Sequence, residues 1–290
     1  MPTRPLHERI AEQFSYRGDR ADVWRAFDRF LDTDAYLNLG YSPWYLPHVV
    51  GSSQRRLARV VGDGLADRLG TTGGVPLLDA GCGRGGPATV LAREFGFDVV
   101  GVDLVRYNVA RARWNADRDG VTAEFVVGDA TRLPVATDAV DAATSIDALV
   151  YVPDESAAFG ELARVVRPGG VVAISDLVAS DGMDDAARSS VDAFAAAWDM
   201  PPIAPAGRYL DDLAASGLVA DEVRELGPHS VDRFRKWARL YLELARWGGG
   251  SVEWLLGRWD LDADAVTEQV RLAHEALPHL RHVLVYARVE

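Results

Sequence analysis

Short apolar runs alternate with longer amphipathic stretches from Val75 to the end of the chain. The runs are mostly Val, Leu, Ile and Ala, which is typical of strands buried on both faces of a parallel sheet. Their alternation with helical stretches predicts an α/β fold in which helices cover both faces of that sheet. The predicted strands are Pro76–Ala80, Asp98–Asp103, Ala123–Val127, Ala139–Ser145, Gly170–Asp176, Val219–Leu226 and His282–Val289.

The chain is predicted to be helical on either side of this sheet. Ala21–Leu31 carries apolar residues at helical spacing, and Gln54–Leu69 predicts a second helix before the first strand. Ser230–Leu277 has an apolar helical face that is interrupted at Gly248–Gly250. These patterns divide the chain into an N-terminal helical cap (1–70), a core (71–227), a helical lid (228–280) and the last strand of the core (281–290).

Residues 77–86 lead from the first predicted strand through a glycine cluster into a helix. Glycines are needed where the backbone turns tightly against a ligand, and a helix N-terminus offers free N–H groups. Gly81, Gly83 and Gly86 fit a dinucleotide-binding spacing. Asp103, at the end of the second strand, can bind two ribose hydroxyls. These features indicate a nucleotide-containing cofactor but leave its kind open.

Three further features narrow the choice of cofactor. Asp79 lies just before the glycine loop, where its charge would repel a pyrophosphate but would tolerate a cationic methionine group. Asp129 ends the third strand and suits the amino group of adenine. Residues 164–170 form a helix end and a Pro-Gly-Gly turn before the fifth strand. The three together favour S-adenosylmethionine (AdoMet) over NAD.

Residues 79–85, 101–103, 128–130 and 167–170 resemble, in order, the motifs of class I AdoMet-dependent methyltransferases. This resemblance implies a Rossmann-like, mostly parallel sheet of seven strands whose last strand, His282–Val289, is antiparallel. It also implies transfer of a methyl group from AdoMet. The candidate cofactor contacts are Asp79, Gly81, Cys82, Gly83, Asp103, Leu104, Asp129, Ala130, Ser145 and Tyr41.

The loops that follow the fourth and fifth strands are expected to face the methyl group. Residues 145–148 resemble a segment of sterol and amine methyltransferases, and many relatives place a histidine where this chain has Tyr151. Asp176 matches an aspartate that sugar O-methyltransferases use near the acceptor hydroxyl. We therefore predict that Asp176 is the general base or orients the acceptor, that Tyr151 assists, and that Asp147 binds either the acceptor or the cofactor.

An apolar acceptor site is predicted from aromatic residues. Asn38–Tyr41 resembles a segment that folds over the cofactor in natural-product O-methyltransferases. Further aromatic candidates for the acceptor wall are Trp44, Tyr45, Trp237, Trp247, Trp254 and Trp259. The favoured reaction is O-methylation of a lipophilic alcohol, phenol or sugar. One alternative is C-methylation of an isoprenoid quinone, a sterol-like ring or an aromatic ring. The other alternative is N-methylation of a small amine. Outside this class stand an NAD-dependent oxidoreductase and a catalytically idle partner with the same fold.

Composition excludes several other kinds of partner. A net charge of −12 disfavours nucleic acid, whose binding requires that phosphates be neutralised. No apolar run approaches the roughly 20 residues of a bilayer-spanning helix, so no membrane insertion is expected. The single cysteine, Cys82, favours a reducing, cytoplasmic setting. His279 and His282 lack acidic companions, so no metal is expected. The expected partner is a small-molecule acceptor, and a homodimer is left open.

Overall fold

The structure is a computed structural model that describes residues 5–16, 25–26, 34–49, 51–248 and 250–290. The helix predicted over Ala21–Leu31 lies outside the described residues except for Arg25 and Ala26.

The core is one sheet of seven strands in the order β3-β2-β1-β4-β5-β7-β6. β7 runs antiparallel to both of its neighbours, and β1 to β5 pair in parallel, as predicted. The fold class predicted from the sequence is therefore confirmed. The strands are β1 Pro76–Ala80, β2 Asp98–Asp103, β3 Glu124–Val127, β4 Val140–Ile146, β5 Val166–Ala179, β6 Leu218–Glu225 and β7 Leu280–Val289.

Helices cover both faces of the sheet because alternate side chains of each central strand point to opposite faces. In β1, Leu78 and Ala80 belong to one buried apolar cluster, and Leu77 belongs to the other. The helices are α1 Leu6–Phe14, α2 Ser52–Leu69, α3 Gly86–Val90, α4 Arg106–Asp119, α5 Glu155–Val165, α6 Asp185–Ala197, α7 Ala206–Ala215, α8 Val231–Trp247, α9 Ser251–Gly257 and α10 Ala263–Ala276.

The strand β5 begins earlier than the sequence predicts. The predicted turn at Pro168-Gly169-Gly170 lies within an irregular start of the strand, where the register against β4 shifts between Val140 and Ala142. Gly169 has a φ of 78°, which a glycine adopts without steric cost. The glycines that predicted a turn therefore form a bulge, and helix α5 passes directly into β5.

Three helices, α8 to α10, are inserted between β6 and β7, as the predicted lid requires. Apolar residues of α10 pack with those of α6 and with Ile10 and Phe14 of α1 in one buried cluster. Helix α2 packs on the sheet itself, where Leu57, Val61 and Leu65 are fully buried. The predicted division of the chain at residues 70, 227 and 280 stays a prediction.

A close contact between α2 and β7 generates a stability prediction. A methyl group at Gly64 would overlap the phenol of Tyr286, whose hydroxyl donates to the Val60 carbonyl at 2.9 Å. We expect Gly64→Ala to lower the free energy of unfolding by about 1–3 kcal/mol, measured by urea denaturation. The control is Gly160→Ala in α5, where nothing lies within 4 Å of the added methyl. That variant should gain about 0.5–1 kcal/mol, and equal stabilities of the two variants would contradict this packing.

Candidate active site

A cavity of about 470 Å³ opens at the carboxyl ends of β1, β2, β3 and β4. This is the edge of an open α/β sheet at which ligands bind, and the volume is typical of small-molecule sites. Eight of the ten predicted cofactor residues line the cavity: Asp79, Gly81, Cys82, Gly83, Asp103, Leu104, Asp129 and Ala130. Three of the four motifs, residues 79–85, 101–103 and 128–130, therefore converge on one site.

The glycine loop is held against β2 by its own backbone. The N–H groups of Gly81 and Cys82 both donate to the Val102 carbonyl, at 2.8 and 3.0 Å. Gly81 has a φ of 75°, and a methyl group there would overlap Ala148. The loop thus requires glycine both for its backbone conformation and for its close approach to the loop after β4.

Asp103 is held by three donors at the end of β2. Its Oδ1 accepts from the Val105 N–H at 2.8 Å and from Asn108 Nδ2 at 3.2 Å, and its Oδ2 accepts from the Gly83 N–H at 2.9 Å. Burial raises the pKa of Asp103 to about 6, although these hydrogen bonds favour the ionised form. The carboxylate is therefore oriented and keeps acceptor capacity on the cavity side.

Asp79 is the second buried acid of the cavity. The residue is 1% exposed, and its Oδ2 atom accepts no hydrogen bond from the residues that the structure describes. Burial, together with the neighbouring charge of Asp103, raises its pKa to about 7. A buried, unpaired carboxylate is costly, so this position favours a ligand that brings a positive charge.

Ser145 and Tyr41 do not line the cavity, so their role as cofactor contacts stays a prediction. Ser145 is fully buried within β4. Tyr41 turns away, and its ring packs on His229 at a centroid distance of 4.8 Å. Its N–H donates to the Ser53 carbonyl, and its own carbonyl accepts from Arg56. The segment that resembled a cofactor cover meets the cavity through Leu37 and Asn38 instead.

Asp147 lines the cavity and joins four parts of the chain. Its Oδ2 accepts from the Leu39 N–H at 2.7 Å, and its Oδ1 lies 2.7 Å from Ser175 Oγ of β5 and 2.8 Å from His282 Nε2 of β7. His282 Nδ1 in turn lies 2.7 Å from Ser230 Oγ at the start of α8. Burial alone would raise the pKa of Asp147, but these contacts lower it. Asp147 is thus an ionised anchor with its oxygens occupied.

Asp176 and Tyr151, the other two predicted catalytic residues, lie in different surroundings. Asp176 is fully buried and does not line the cavity. Its Oδ1 accepts from the Leu177 N–H at 3.0 Å, and Tyr209 Oη lies 3.5 Å from its Oδ2. Burial raises the pKa of Asp176 well above the ordinary value. Tyr151 does line the cavity, and burial also raises the pKa of its phenol.

Helix α1 supplies a wall of the cavity that sequence reasoning missed. Leu6, His7, Ile10 and Phe14 line the cavity, and the Phe14 ring meets Tyr151 edge-on at 5.3 Å. The i, i+4, i+8 spacing of Leu6, Ile10 and Phe14 indicates an amphipathic helix. The local sequence does not indicate which surface of the protein its apolar face covers.

The tryptophans predicted to wall the acceptor site are not part of the cavity. Trp237, Trp247 and Trp254 are 53%, 72% and 64% exposed, and Trp44 is 81% exposed. Helical periodicity placed the lid residues on common faces but did not tell which face was buried, because a helix with two apolar rows can bury either one. This expectation is therefore wrong for these residues.

Two kinds of feature are absent from the part of the chain that the structure describes. No group of three or more His, Cys, Asp or Glu side chains there is placed to hold a metal ion. In the same residues, no helix combines the length and the apolar character that crossing a bilayer requires.

Comparison with known proteins identifies the family. A family model described as a methyltransferase domain matches residues 78–174. Methyltransferase GfsG of Streptomyces halstedii is 30% identical over 226 residues, which cover 75% of this chain and 80% of that protein. The chain belongs to the class I AdoMet-dependent methyltransferases. Its cofactor is AdoMet, as predicted.

Other similar proteins include C-methyltransferases. The 24-methylenesterol C-methyltransferase 2 of Oryza sativa subsp. japonica is 37% identical over 144 residues. These residues cover 49% of this chain and only 40% of the rice enzyme. The solved geranyl diphosphate C-methyltransferase from Streptomyces coelicolor A3(2), in complex with Mg²⁺, geranyl diphosphate and S-adenosyl-L-homocysteine, shares the fold. Its TM-score is 0.71 at 22% identity, over 100% of this chain and 99% of that chain.

The buried acids of the methyltransferase generate a binding prediction. We expect Asp103→Asn to weaken S-adenosylhomocysteine binding by about 10- to 100-fold, because charged hydrogen bonds to the ribose are lost. Asp98→Asn, at the exposed opposite end of the same strand, is the matched control and should bind like the wild type. Calorimetric titration measures both affinities.

The same titration also has an expected pH dependence. Since the pKa of Asp103 is about 6 and that of Asp79 about 7, both acids bind protons as the pH falls. Wild-type affinity should therefore be higher at about pH 8 than at about pH 5.5, whereas Asp103→Asn should show a smaller ratio between the two. Equal ratios in the two proteins would contradict a role for Asp103 in binding.

Proposed function

We propose that this methyltransferase transfers the AdoMet methyl group to an oxygen of a small, lipophilic acceptor. The observation that carries the proposal is the wall supplied by α1, where Leu6, Ile10 and Phe14 face the cavity beside a histidine, His7. Apolar walls with a few polar groups are typical of sites for lipophilic small molecules. A hydroxyl acceptor also needs a group that takes its proton.

The cavity residues fit the cofactor. The unpartnered oxygen of Asp79 suits the ammonium of the methionine moiety, and Asp103 suits the ribose hydroxyls. Leu104, Asp129 and Ala130 would border the adenine. When bound, AdoMet supplies a methyl group that is already activated on a sulfonium, so the protein contributes mainly alignment.

Among the residues that the structure describes, His7 is the histidine that lines the cavity. Its place on α1, close in sequence to the apolar wall of Ile10 and Phe14, suits a general base for a lipophilic hydroxyl. Sequence reasoning sought a histidine in the loop after β4 and found Tyr151 there. We propose that the base comes from the N-terminal helix instead.

The three residues predicted to be catalytic then have other roles. The phenol of Tyr151 stays protonated because burial raises its pKa, so it can donate a hydrogen bond to the acceptor but cannot take its proton. Asp147 positions the cap segment at Leu39. Asp176 holds the start of the Tyr151 loop through the backbone N–H of Val150, and it also accepts from the N–H of its own neighbour, Leu177.

C-methylation is the second candidate. It is favoured by the relatives and fold neighbours whose names are those of sterol and geranyl diphosphate C-methyltransferases. Such an acceptor also loses a proton, so His7 would keep its role. Dimer formation and a cytoplasmic setting stay predictions.

The experiment is methyl transfer from AdoMet carrying a labelled methyl group to a panel of lipophilic alcohols, phenols and hydroquinones. Each acceptor is paired with its methyl ether, in which the hydroxyl is blocked. O-methylation predicts that label enters the alcohol and never the ether, and carbon NMR of the product identifies the atom bearing the methyl. Label on ring carbon, with the ether still accepted, would favour C-methylation.

Two variants distinguish the candidate bases. We expect His7→Gln to lower kcat by about 10²-fold or more on an aliphatic alcohol, with KM for AdoMet little changed. The loss should be smaller on an acidic phenol, which needs less help in losing its proton.

Asp176→Asn should keep most of the activity, because the amide oxygen can still accept the backbone N–H groups. A large loss of kcat in Asp176→Asn together with normal turnover in His7→Gln would contradict this assignment. It would restore Asp176 as the base.

A further inference from the structure

Helix α8 carries apolar residues on two sides. Phe234, Ala238 and Tyr241 pack in a cluster with residues of α9 and α10. A second row is open to solvent, and its members recur every three or four residues, so they share one side of the helix. This row, called here the Trp–Leu face, consists of Trp237 (53% exposed), Leu240 (49%), Leu244 (52%) and Trp247 (72%).

The surface continues onto neighbouring segments. The indole N–H of Trp237 donates to the His48 carbonyl at 3.1 Å, and Arg233 donates to the Leu46 carbonyl. These bonds tie the loop 44–49 to α8, and Trp44 and Tyr45 in that loop are 81% and 66% exposed. Exposed apolar side chains clustered on one helix face and on the loop bonded to that helix mark an interaction site rather than ordinary surface.

The charge of this region is opposite to that of the whole chain. Between Val231 and Arg258 there are six basic and three acidic residues, whereas the whole chain has a net charge of −12. The basic residues are Arg233, Arg235, Lys236, Arg239, Arg246 and Arg258. Lys236 is the single lysine of the chain. The Arg246 guanidinium lies 4.8 Å from the centre of the Trp247 ring.

We propose that the Trp–Leu face docks the methyltransferase onto a bilayer that contains anionic lipids. A basic amphipathic helix with Trp and Leu on one face binds in the plane of the membrane interface, with its apolar side chains among the acyl chains. Tryptophan prefers the interfacial depth, and each basic residue near the surface adds attraction to anionic headgroups. Both features occur together on α8.

A second copy of this chain fits the face less well. A closed dimer places the same patch of each copy against itself. That arrangement would bring the basic residues of two α8 helices together, with like charges opposed. An anionic headgroup layer supplies the opposite charge.

The face and the cavity are linked by one stretch of chain. Residues 37 and 38 line the cavity, Leu39 is bonded to Asp147, and the segment then reaches the loop tied to α8. Docking would place this stretch near the lipid phase, where a lipophilic acceptor dissolves. This consequence rests on the proposed function, but docking itself does not depend on what is methylated.

The test is flotation of the full chain with vesicles, free of acceptor and of AdoMet. One set of vesicles is pure phosphatidylcholine, and the other is phosphatidylcholine mixed with phosphatidylglycerol. We expect the protein to float with the anionic vesicles, to bind the neutral ones far less, and to dissociate as salt is raised. A folded wild-type protein that stays unbound on anionic vesicles overturns the proposal.

Variants test which surface is responsible. Trp237→Ser combined with Trp247→Ser should lower partitioning by about tenfold or more. Lys236→Glu should lower binding to anionic vesicles by at least about fivefold. The matched control is Trp114→Ser in α4, an exposed tryptophan (48%) that also stacks with arginines. Unchanged S-adenosylhomocysteine affinity verifies that each variant is folded.

Two further outcomes count against the proposal. An equal loss of binding in Trp114→Ser would show that any exposed tryptophan suffices. A wild-type dimer in sedimentation that the double variant converts to monomer, with no vesicle binding, would assign the face to a second copy. Failure of methyl transfer in the acceptor panel leaves the flotation result intact, so the two proposals fail separately.

Discussion

Two carboxyl groups, the buried Asp79 and the half-buried Asp103, lie at the ends of neighbouring parallel strands, and the site is organised around them. Parallel strands bring their carboxyl ends to the same edge of the sheet, so the two acids lie close together. Burial disfavours charge on both, and at Asp79 the charge of Asp103 adds to this effect, which is why the pKa of Asp79 is raised to about 7. A ligand that brings a positive charge would relieve this cost at Asp79.

Asp147 links the sheet to the segments outside it. It joins Ser175 of β5 and His282 of β7 to the backbone of Leu39, and His282 reaches Ser230 at the start of α8. The left-handed backbone of Asp147, with a φ of 55°, costs energy that these bonds offset. The next residue in the chain, Ala148, limits the space beside Gly81. The cap, the lid and the glycine loop therefore share one anchor.

Local pattern was enough for the sheet and for bringing the candidate residues of the glycine loop and the strand ends to one cavity. Buried strands show near-continuous apolar runs, and Asp79 and Asp103 follow from strand ends beside glycines. Pattern was insufficient wherever the answer depended on a distant surface. Ser145 lies in the core because β4 is buried on both faces, and Asp176 is sealed by Tyr209 from α7. His7 lines the cavity because α1 lies there, where the Phe14 ring meets Tyr151, more than a hundred residues away in sequence.

The family model matches residues 78–174, which hold the cofactor motifs, whereas the proposed acceptor wall comes from α1. Methyl transfer needs little from the protein beyond alignment, so the same core can serve oxygen or carbon acceptors. The acceptor must then be selected by the parts outside the core. Helix α1 lines the cavity and packs in one apolar cluster with residues of α6 and of α10, the latter inserted before β7. A change in the packing of that insertion should therefore alter acceptor choice before it alters AdoMet binding.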